Sequence, residues 1–371
     1  MKRLSRNPEK FEALDLFTAF SRNSELKLQS PEDEEKFLDM VKASLKVSKE
    51  NPILLHGKRM EVLFGHLAAG LGGCRMVKNE DTGGVITDNS DIQLPDYRLI
   101  LKDGRQIFVE VKNQGHPSHR AQFLLSKDYV EKLQRYGEMN NVPIYFAIYY
   151  RCFRMWALLP VSSFIELKKK YTTNPIHSLA NSEMSMLGDL MVATKAPLVF
   201  ELVADTSQDR DVSDDNQAQF IIGDVKIYCG EDEVTDSDEK NLAFYLMRFG
   251  RWDCGDPEAI MDDQDNLHSV RYIFNPETPE NIEREGFDFI GHLSSMITEA
   301  FNEQTVYERQ ITAIDTKSEP EVFSVKIPQN YKGKTLPLWR FKIEPNPDFK
   351  GEPGEPTMFE LTSGQRITDD D

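Results

Sequence analysis

The stretch that decides the fold is PDYRLILKDGRQIFVEVK, which covers residues 95–112. Its two apolar parts are separated by residues 102–105, Lys-Asp-Gly-Arg, a sequence typical of a tight turn between paired strands. We therefore predict a β-hairpin with residues 99–101 in the first strand and residues 106–112 in the second.

The predicted hairpin brings charged side chains together on a strand that is otherwise apolar. Glu110 and Lys112 share a face because side chains alternate along a strand, and Asp96 at the start of the first strand can lie beside Glu110. Two carboxylates so placed repel each other unless a divalent cation lies between them, and Mg²⁺ accepts such hard oxygen ligands. The backbone carbonyl of Val111 can supply a further oxygen, and Lys112 can hold or deprotonate an attacking water.

These residues closely resemble the motif of the PD-(D/E)XK nuclease superfamily, to which restriction endonucleases and archaeal-type Holliday-junction resolvases belong. Pro95-Asp96 matches "PD", Glu110-Val111-Lys112 matches "EXK", and Glu61 resembles the glutamate that many members carry on the first core helix. The resemblance covers about residues 52–165. It implies an α/β fold with a restriction endonuclease-like core, in which helices flank a central mixed sheet.

The resemblance also implies a chemistry. It assigns catalytic roles to Asp96, Glu110, Lys112 and Glu61, and a metal site to Asp96, Glu110, Glu61 and the Val111 carbonyl. The implied cofactor is Mg²⁺, with Mn²⁺ as a substitute, and the implied substrate is DNA. A homodimer is compatible with the resemblance.

Two alternatives stay open for the motif itself. Glu110 and Lys112 could form a pair on an exposed sheet edge, with Asp96 a turn residue. Asp88 and Asp91 are rivals for the role of Asp96, although Asp96 alone among them follows a proline and directly precedes the strand.

The rest of the chain shows helical and strand patterns of apolar residues. They predict helices at 8–21, 30–48, 57–71, 120–139, 160–171, 236–249 and 286–304. They predict strands near 74–88 and at 143–150, 152–159, 198–203, 220–228, 270–274, 321–327 and 338–343, with a solvated loop at 205–217. From these we expect an N-terminal helical segment (1–51), a nuclease-like core (52–171), an acidic C-terminal α+β domain (190–344) and a disordered acidic tail (345–371).

Charge is distributed unevenly along the chain. The 371 residues carry a net charge of −18, which by itself argues against binding to nucleic acid. Residues 52–170, however, hold 17 basic and 12 acidic side chains, a net charge of +5, whereas residues 171–371 have a net charge of −23. The basic core is compatible with phosphate contacts, and His119, Arg120 and Lys127 are candidates for them.

Two functional hypotheses follow. The first is a metal-dependent nuclease that hydrolyses phosphodiester bonds, most simply an endonuclease acting on DNA in restriction, defence or repair. The second is a catalytically inactive nuclease-fold protein that acts as an acidic protein-interaction module through residues 171–371. In either case the scattered cysteines and the lack of a signal peptide or an apolar span favour a cytoplasmic protein without a membrane segment.

Overall fold

The computed structural model describes residues 1–3, 12–82, 84–88, 91–213, 215, 217–277, 286–346 and 348–349. The first half contains α1 (Glu12–Ser24), α2 (Pro31–Lys49), α3 (Pro52–Gly70), β1 (Cys74–Asn79), β2 (Tyr97–Leu101), β3 (Gln106–Gln114), β4 (Phe123–Ser126), α4 (Lys127–Asn140), β5 (Ile144–Tyr150) and β6 (Met155–Pro160). No helix in the described ranges is long and apolar enough to cross a lipid bilayer.

Five of these strands form a mixed sheet in the order β1-β2-β3-β5-β6. The predicted hairpin is confirmed: β2 and β3 pair antiparallel, with Tyr97 opposite Val109. Gly104 at the turn has φ +93°, a left-handed conformation that glycine adopts without strain. β3 and β5 pair in parallel, which makes the sheet mixed as predicted.

The two faces of this sheet are covered by different helices because its strand residues alternate. Val109 and Val111 face a core shared with α3, including Leu63 and Leu67. Phe108 on the opposite face joins Leu133 of α4 in a second core. The charged residues of β3 therefore lie on the α4 side of the sheet.

The second half adds further sheets and two long helices. Its elements are β7 (Ile165–Glu166), β8 (Lys170–Thr173), α5 (Pro175–Ala180), β9 (Met191–Thr194), β10 (Leu198–Ala204), β11 (Asp211–Val212), β12 (Ala218–Gln219), β13 (Ile222–Cys229), β14 (Asp232–Glu233), α6 (Ser237–Phe249), β15 (Asp253–Cys254), β16 (Glu258–Met261), β17 (Leu267–Asn275), β18 (Asp288–His292), α7 (Leu293–Thr305), β19 (Val306–Tyr307), β20 (Gln310–Ile311) and β21 (Leu338–Phe341). The path β14-β13-β10-β17-β15 forms an antiparallel sheet, and β18-β9-β21 forms a smaller one.

Helix α7 belongs to two hydrophobic cores at once. Its Met296 packs with the sheets of the second half, whereas Phe301 packs into the core of α3 and the central sheet. Trp156 of β6 donates a hydrogen bond to Thr298 Oγ1 at 3.0 Å. The acidic half is thus packed on the central sheet through α7, and its division from the core at 171–190 stays a prediction.

Several predicted element boundaries are wrong, each because strand pairing overrides a helical pattern. Residues 160–171 form no α-helix, since β8 pairs with β4. The same pairing makes residues 123–126 a strand, so α4 begins at Lys127 and not at residue 120. Because β18 pairs with β9, α7 begins at Leu293 and not at residue 286.

Other sequence predictions have mixed outcomes. The predicted strand at 321–327 is wrong, because Phe323 follows a short 3₁₀ turn, Pro320–Val322, and is buried beside Phe301. The predicted loop at 205–217 contains the short strand β11. Residues 8–11 of the predicted first helix and most of the predicted tail, 347 and 350–371, lie outside the described residues.

Replacing Phe301 by alanine tests how α7 joins the two halves. We expect a loss of about 3–5 kcal/mol in the free energy of unfolding, because a fully buried phenyl ring leaves a cavity. Tyr307→Ala is the matched control, since that ring is 68% exposed. Urea unfolding that finds equal effects for the two variants would contradict the shared core.

Candidate metal centre

The site begins where the pairing of β2 with β3 ends. Every second residue of β3 points its N–H towards β2, so the next such residue after Val109 is Val111. The Val111 N–H donates to Asp96 Oδ2 at 2.7 Å. A carboxylate therefore takes the place that a backbone carbonyl of β2 would have taken. Because N–H and C=O of a strand residue point to the same side, the Val111 carbonyl also faces the Asp96 side.

Three carboxylates meet at this point. Single oxygens of Glu61 on α3, Asp81 just after β1 and Asp96 just before β2 all lie within 4.8 Å of one another. The ammonium of Lys58, one turn before Glu61, lies 2.6 Å from Glu61 Oε2 and 3.6 Å from Asp81 Oδ2. A positive charge of the protein's own thus accompanies this acidic cluster.

Asp96 is the electrostatically unfavourable member of the cluster. Burial, followed by the neighbouring charges of Glu110 and Glu61, raises the pKa of Asp96 to about 8, although the Val111 N–H opposes the shift. The negative charge on Asp96 is therefore poorly compensated by the surrounding protein groups.

Glu110 and Lys112, which lie on the face of β3 that α4 covers, form a second group of charged residues. Lys112 Nζ lies 2.8 Å from Glu110 Oε1 and 3.1 Å from the hydroxyl of Tyr129, and that hydroxyl also donates to Glu110 Oε1. Burial and the Glu110 charge raise the pKa of Tyr129, so the phenol stays protonated. Glu110 is buried, and its second oxygen, Oε2, has no hydrogen-bond partner within the described part of the chain.

The sequence-predicted residues are thus brought together in two connected groups. Asp96 joins Glu61 in one, while Glu110 and Lys112 form the other and act on Asp96 through charge. Of the rival aspartates, Asp91 pairs instead with Arg135 of α4, outside the cluster. The assignment of these residues to metal binding or to catalysis stays a prediction.

Sequence reasoning missed two residues of the site. Asp81 lies in a polar stretch without periodicity, and the pairing of Asn79 with Tyr97, continued by the Glu80 N–H bond to Asp96 O, brings that stretch beside Asp96. Tyr129 lies in the helix predicted at 120–139, where an aromatic ring indicates packing and nothing in the sequence indicates the contacts of its hydroxyl.

Of the three predicted phosphate-contacting residues, Lys127 and His119 have different partners. Lys127 at the start of α4 forms an ion pair with Glu166. His119 and Arg120 are exposed in the loop after β3, and the His119 ring lies 6.3 Å from that of Phe153. Their proposed role stays a prediction.

A hard divalent cation fits this donor set. Glu61, Asp81 and Asp96 supply oxygens, which Mg²⁺ prefers, and the Lys58 ammonium shows that the cluster accommodates positive charge. The unpartnered Glu110 Oε2 is a further acceptor that a cation or its water could satisfy.

Comparisons with known proteins add a partial likeness. No family model matches the chain, and no curated protein matches it. Part of the chain is similar to the structure of Hjc, a Holliday junction resolvase from the hyperthermophilic archaeon Archaeoglobus fulgidus, with 18% identity, coverage of 29% of this chain and 81% of the resolvase, and a TM-score of 0.22. A likeness of this size says nothing about activity, which has to be argued from the side chains.

The raised pKa of Asp96 predicts a pH dependence of stability without metal. Folded Asp96 keeps its proton between its ordinary pKa of 3.8 and about 8, whereas the unfolded chain has released it. The contribution of Asp96 protonation to the free energy of unfolding is therefore fully present below pH 3.8 and is lost as the pH rises through about 8.

In EDTA, from about pH 5 to about pH 9, the melting temperature of Asp96→Asn should fall less than that of the wild type. The asparagine keeps an oxygen for the Val111 N–H. Asp91→Asn serves as the control and should follow the wild-type profile; identical profiles for all three proteins would refute the assignment.

Proposed function

We propose that this protein is a divalent-metal-dependent nuclease that hydrolyses phosphodiester bonds in DNA. The observation that carries the proposal is the convergence of Glu61, Asp81 and Asp96, with buried Glu110 and the Lys112 ammonium on the adjoining strand face. Carboxylates grouped around one point suit a cation, and a lysine beside them suits a reaction in which negative charge develops.

The carboxylates would bind the metal, with Mg²⁺ as the expected ion and Mn²⁺ as a substitute. Glu61, Asp81 and Asp96 would supply ligands directly, and Glu110 Oε2 and the Val111 carbonyl are the further oxygens at hand. When bound, the ion would polarise a phosphoryl oxygen and lower the pKa of a coordinated water.

Lys112 has the role closest to the reaction. Its ammonium is held by Glu110 Oε1 and the Tyr129 hydroxyl, so it is oriented before substrate arrives. A fixed ammonium can orient the attacking water and stabilise the charge that develops on the phosphate. Tyr129 positions both partners and contacts neither substrate nor metal in this proposal.

The alternative is a nuclease-fold protein without activity that binds protein partners through its acidic half. The net charge of −23 on residues 171–371 favours it. This alternative predicts that divalent metal affects neither stability nor DNA cleavage, whereas the proposed nuclease requires a divalent metal.

Lys112→Ala tests the catalytic assignment. We expect DNA cleavage with Mg²⁺ to fall by about 10²–10³-fold, because one preorganised charge-stabilising group is removed. Linear, circular, branched and single-stranded DNA should be assayed in parallel. Lys102 is an exposed lysine in the hairpin turn at the opposite end of the strand, and the control variant Lys102→Ala should retain full activity. Unchanged cleavage by Lys112→Ala would contradict the proposed role of Lys112.

Metal binding is measured separately from cleavage. At a Mg²⁺ or Mn²⁺ concentration of 100 times Kd, binding should stabilise the fold by about 2.7 kcal/mol. Asp96→Asn should abolish that gain, because it removes a shared carboxylate, whereas Asp91→Asn should keep it. A wild-type protein whose melting temperature and calorimetric signal ignore both ions would favour the non-catalytic alternative.

A further inference from the structure

Four arginines converge near the ends of β3 and β5. Arg59 comes from α3, Arg151 and Arg154 from the turn that joins β5 to β6, and Arg251 from the segment after α6. We call these four residues the arginine cluster. They come from both halves of the chain and lie around Tyr149 of β5. Burial raises the pKa of Tyr149, and the charges of Arg151, Arg154 and Arg251 also act on it.

Arg59 is buried and forms no ion pair with a carboxylate among the described residues. Its Nε donates to Thr305 Oγ1 at 3.0 Å and its Nη2 donates to Asn302 Oδ1, both neutral acceptors on α7. Its guanidinium also lies 5.5 Å from the ring centroid of Phe301. Because both acceptors are neutral, they leave the charge of Arg59 uncompensated, and Glu299 acts on it through charge alone.

The turn carrying Arg151 and Arg154 is held rigidly. Arg151 N donates to Gln114 O at 3.1 Å, and Ser295 Oγ of α7 donates to Arg154 O at 2.8 Å. Arg251 Nη2 reaches across from the second half and donates to Phe153 O at 2.5 Å. Arg154 has φ +51°, a backbone conformation that is rare for residues other than glycine. Such a conformation persists only where the surrounding structure imposes it.

Positive charge in this cluster exceeds the negative charge that faces it. Burial and the charges of Arg59 and Arg151 lower the pKa of His56, and burial with the charge of Arg154 lowers that of Arg251. The opposing carboxylate is Glu299 of α7, which acts on Arg59 and Arg251 and accepts a hydrogen bond from Asn302 at 3.3 Å. Arg151 and Arg154 are exposed and form no ion pair within the described residues.

The position of the cluster relates it to the candidate metal centre. Gln114, which anchors the turn, lies four residues beyond Glu110 on β3, about 13 Å along the strand. One strand of B-DNA presents a phosphate about every 3.4 Å of helix axis. Measured along the DNA axis, an interval of that length corresponds to about four phosphate spacings of one strand.

We propose that the arginine cluster binds the phosphate backbone of duplex DNA and holds the strand next to the metal centre. The proposal rests on the proposed function for its choice of ligand. Arg151 and Arg154 would contact phosphates directly, Arg59 would add charge from below, and Arg251 would position the turn. The half that carries the acidic excess thereby supplies Arg251, which supports the turn that contacts DNA.

Fluorescence anisotropy of a labelled DNA duplex in EDTA tests this with the whole protein, because cleavage is then excluded. The double variant Arg151→Gln/Arg154→Gln should bind more weakly and should reduce the slope of log K against log salt by about two, near 0.9 for each phosphate that is no longer neutralised. The charge-matched control Lys102→Gln/Arg105→Gln changes two exposed residues at the opposite end of the hairpin and should keep the wild-type slope.

The outcomes separate this proposal from the proposed nuclease function. Reduced binding by the arginine variant alone, with unchanged stabilisation by Mg²⁺, supports the proposal, and it does so even if the wild type cleaves nothing. Equally weakened binding in both double variants, or no DNA binding by a wild type that Mg²⁺ stabilises, would overturn it. Tighter binding of an RNA duplex of the same sequence would overturn the assignment of DNA as the ligand.

Discussion

The site depends on the hydrogen bond from the Val111 N–H to the Asp96 carboxylate. Where β2 stops pairing with β3, an Asp side chain occupies the position of a backbone carbonyl, so Asp96 is fixed against the strand that carries Glu110 and Lys112. A carboxylate fixed there stays buried close to Glu110, and burial, followed by the Glu110 charge, raises the pKa of Asp96. One backbone donor thus sets the geometry of the candidate site and holds Asp96 where its negative charge is poorly compensated.

Helix α7 explains why the acidic half bears on this site. Its apolar residues pack into the core of the central sheet, while its polar residues, Asn302 and Thr305, hold the buried Arg59. Ser295 of the same helix supports the turn that carries Arg151 and Arg154. The C-terminal half therefore supports the arginine cluster through contacts of α7.

The parts of the site that the sequence predicts are those set by local rules. The turn at Gly104 and the alternation along β3 place Glu110 and Lys112 correctly on one face. Asp81 was missed because its proximity to Asp96 depends on the register of β1 against β2, which a polar stretch does not reveal. The helix predicted at 160–171 failed for the same reason: β8 pairs with β4, a contact between residues distant in sequence.

The net charge of the chain and its local charges act over different distances. At physiological salt the Debye length is about 8 Å, so acidic groups remote from the arginine cluster are largely screened from a phosphate in contact with it. At low salt the Debye length grows to roughly 30 Å, and a chain of net charge −18 then repels DNA before contact. On the proposed function, the acidic excess thus opposes loose association at a distance, whereas contact with the arginines and the metal decides which DNA stays bound.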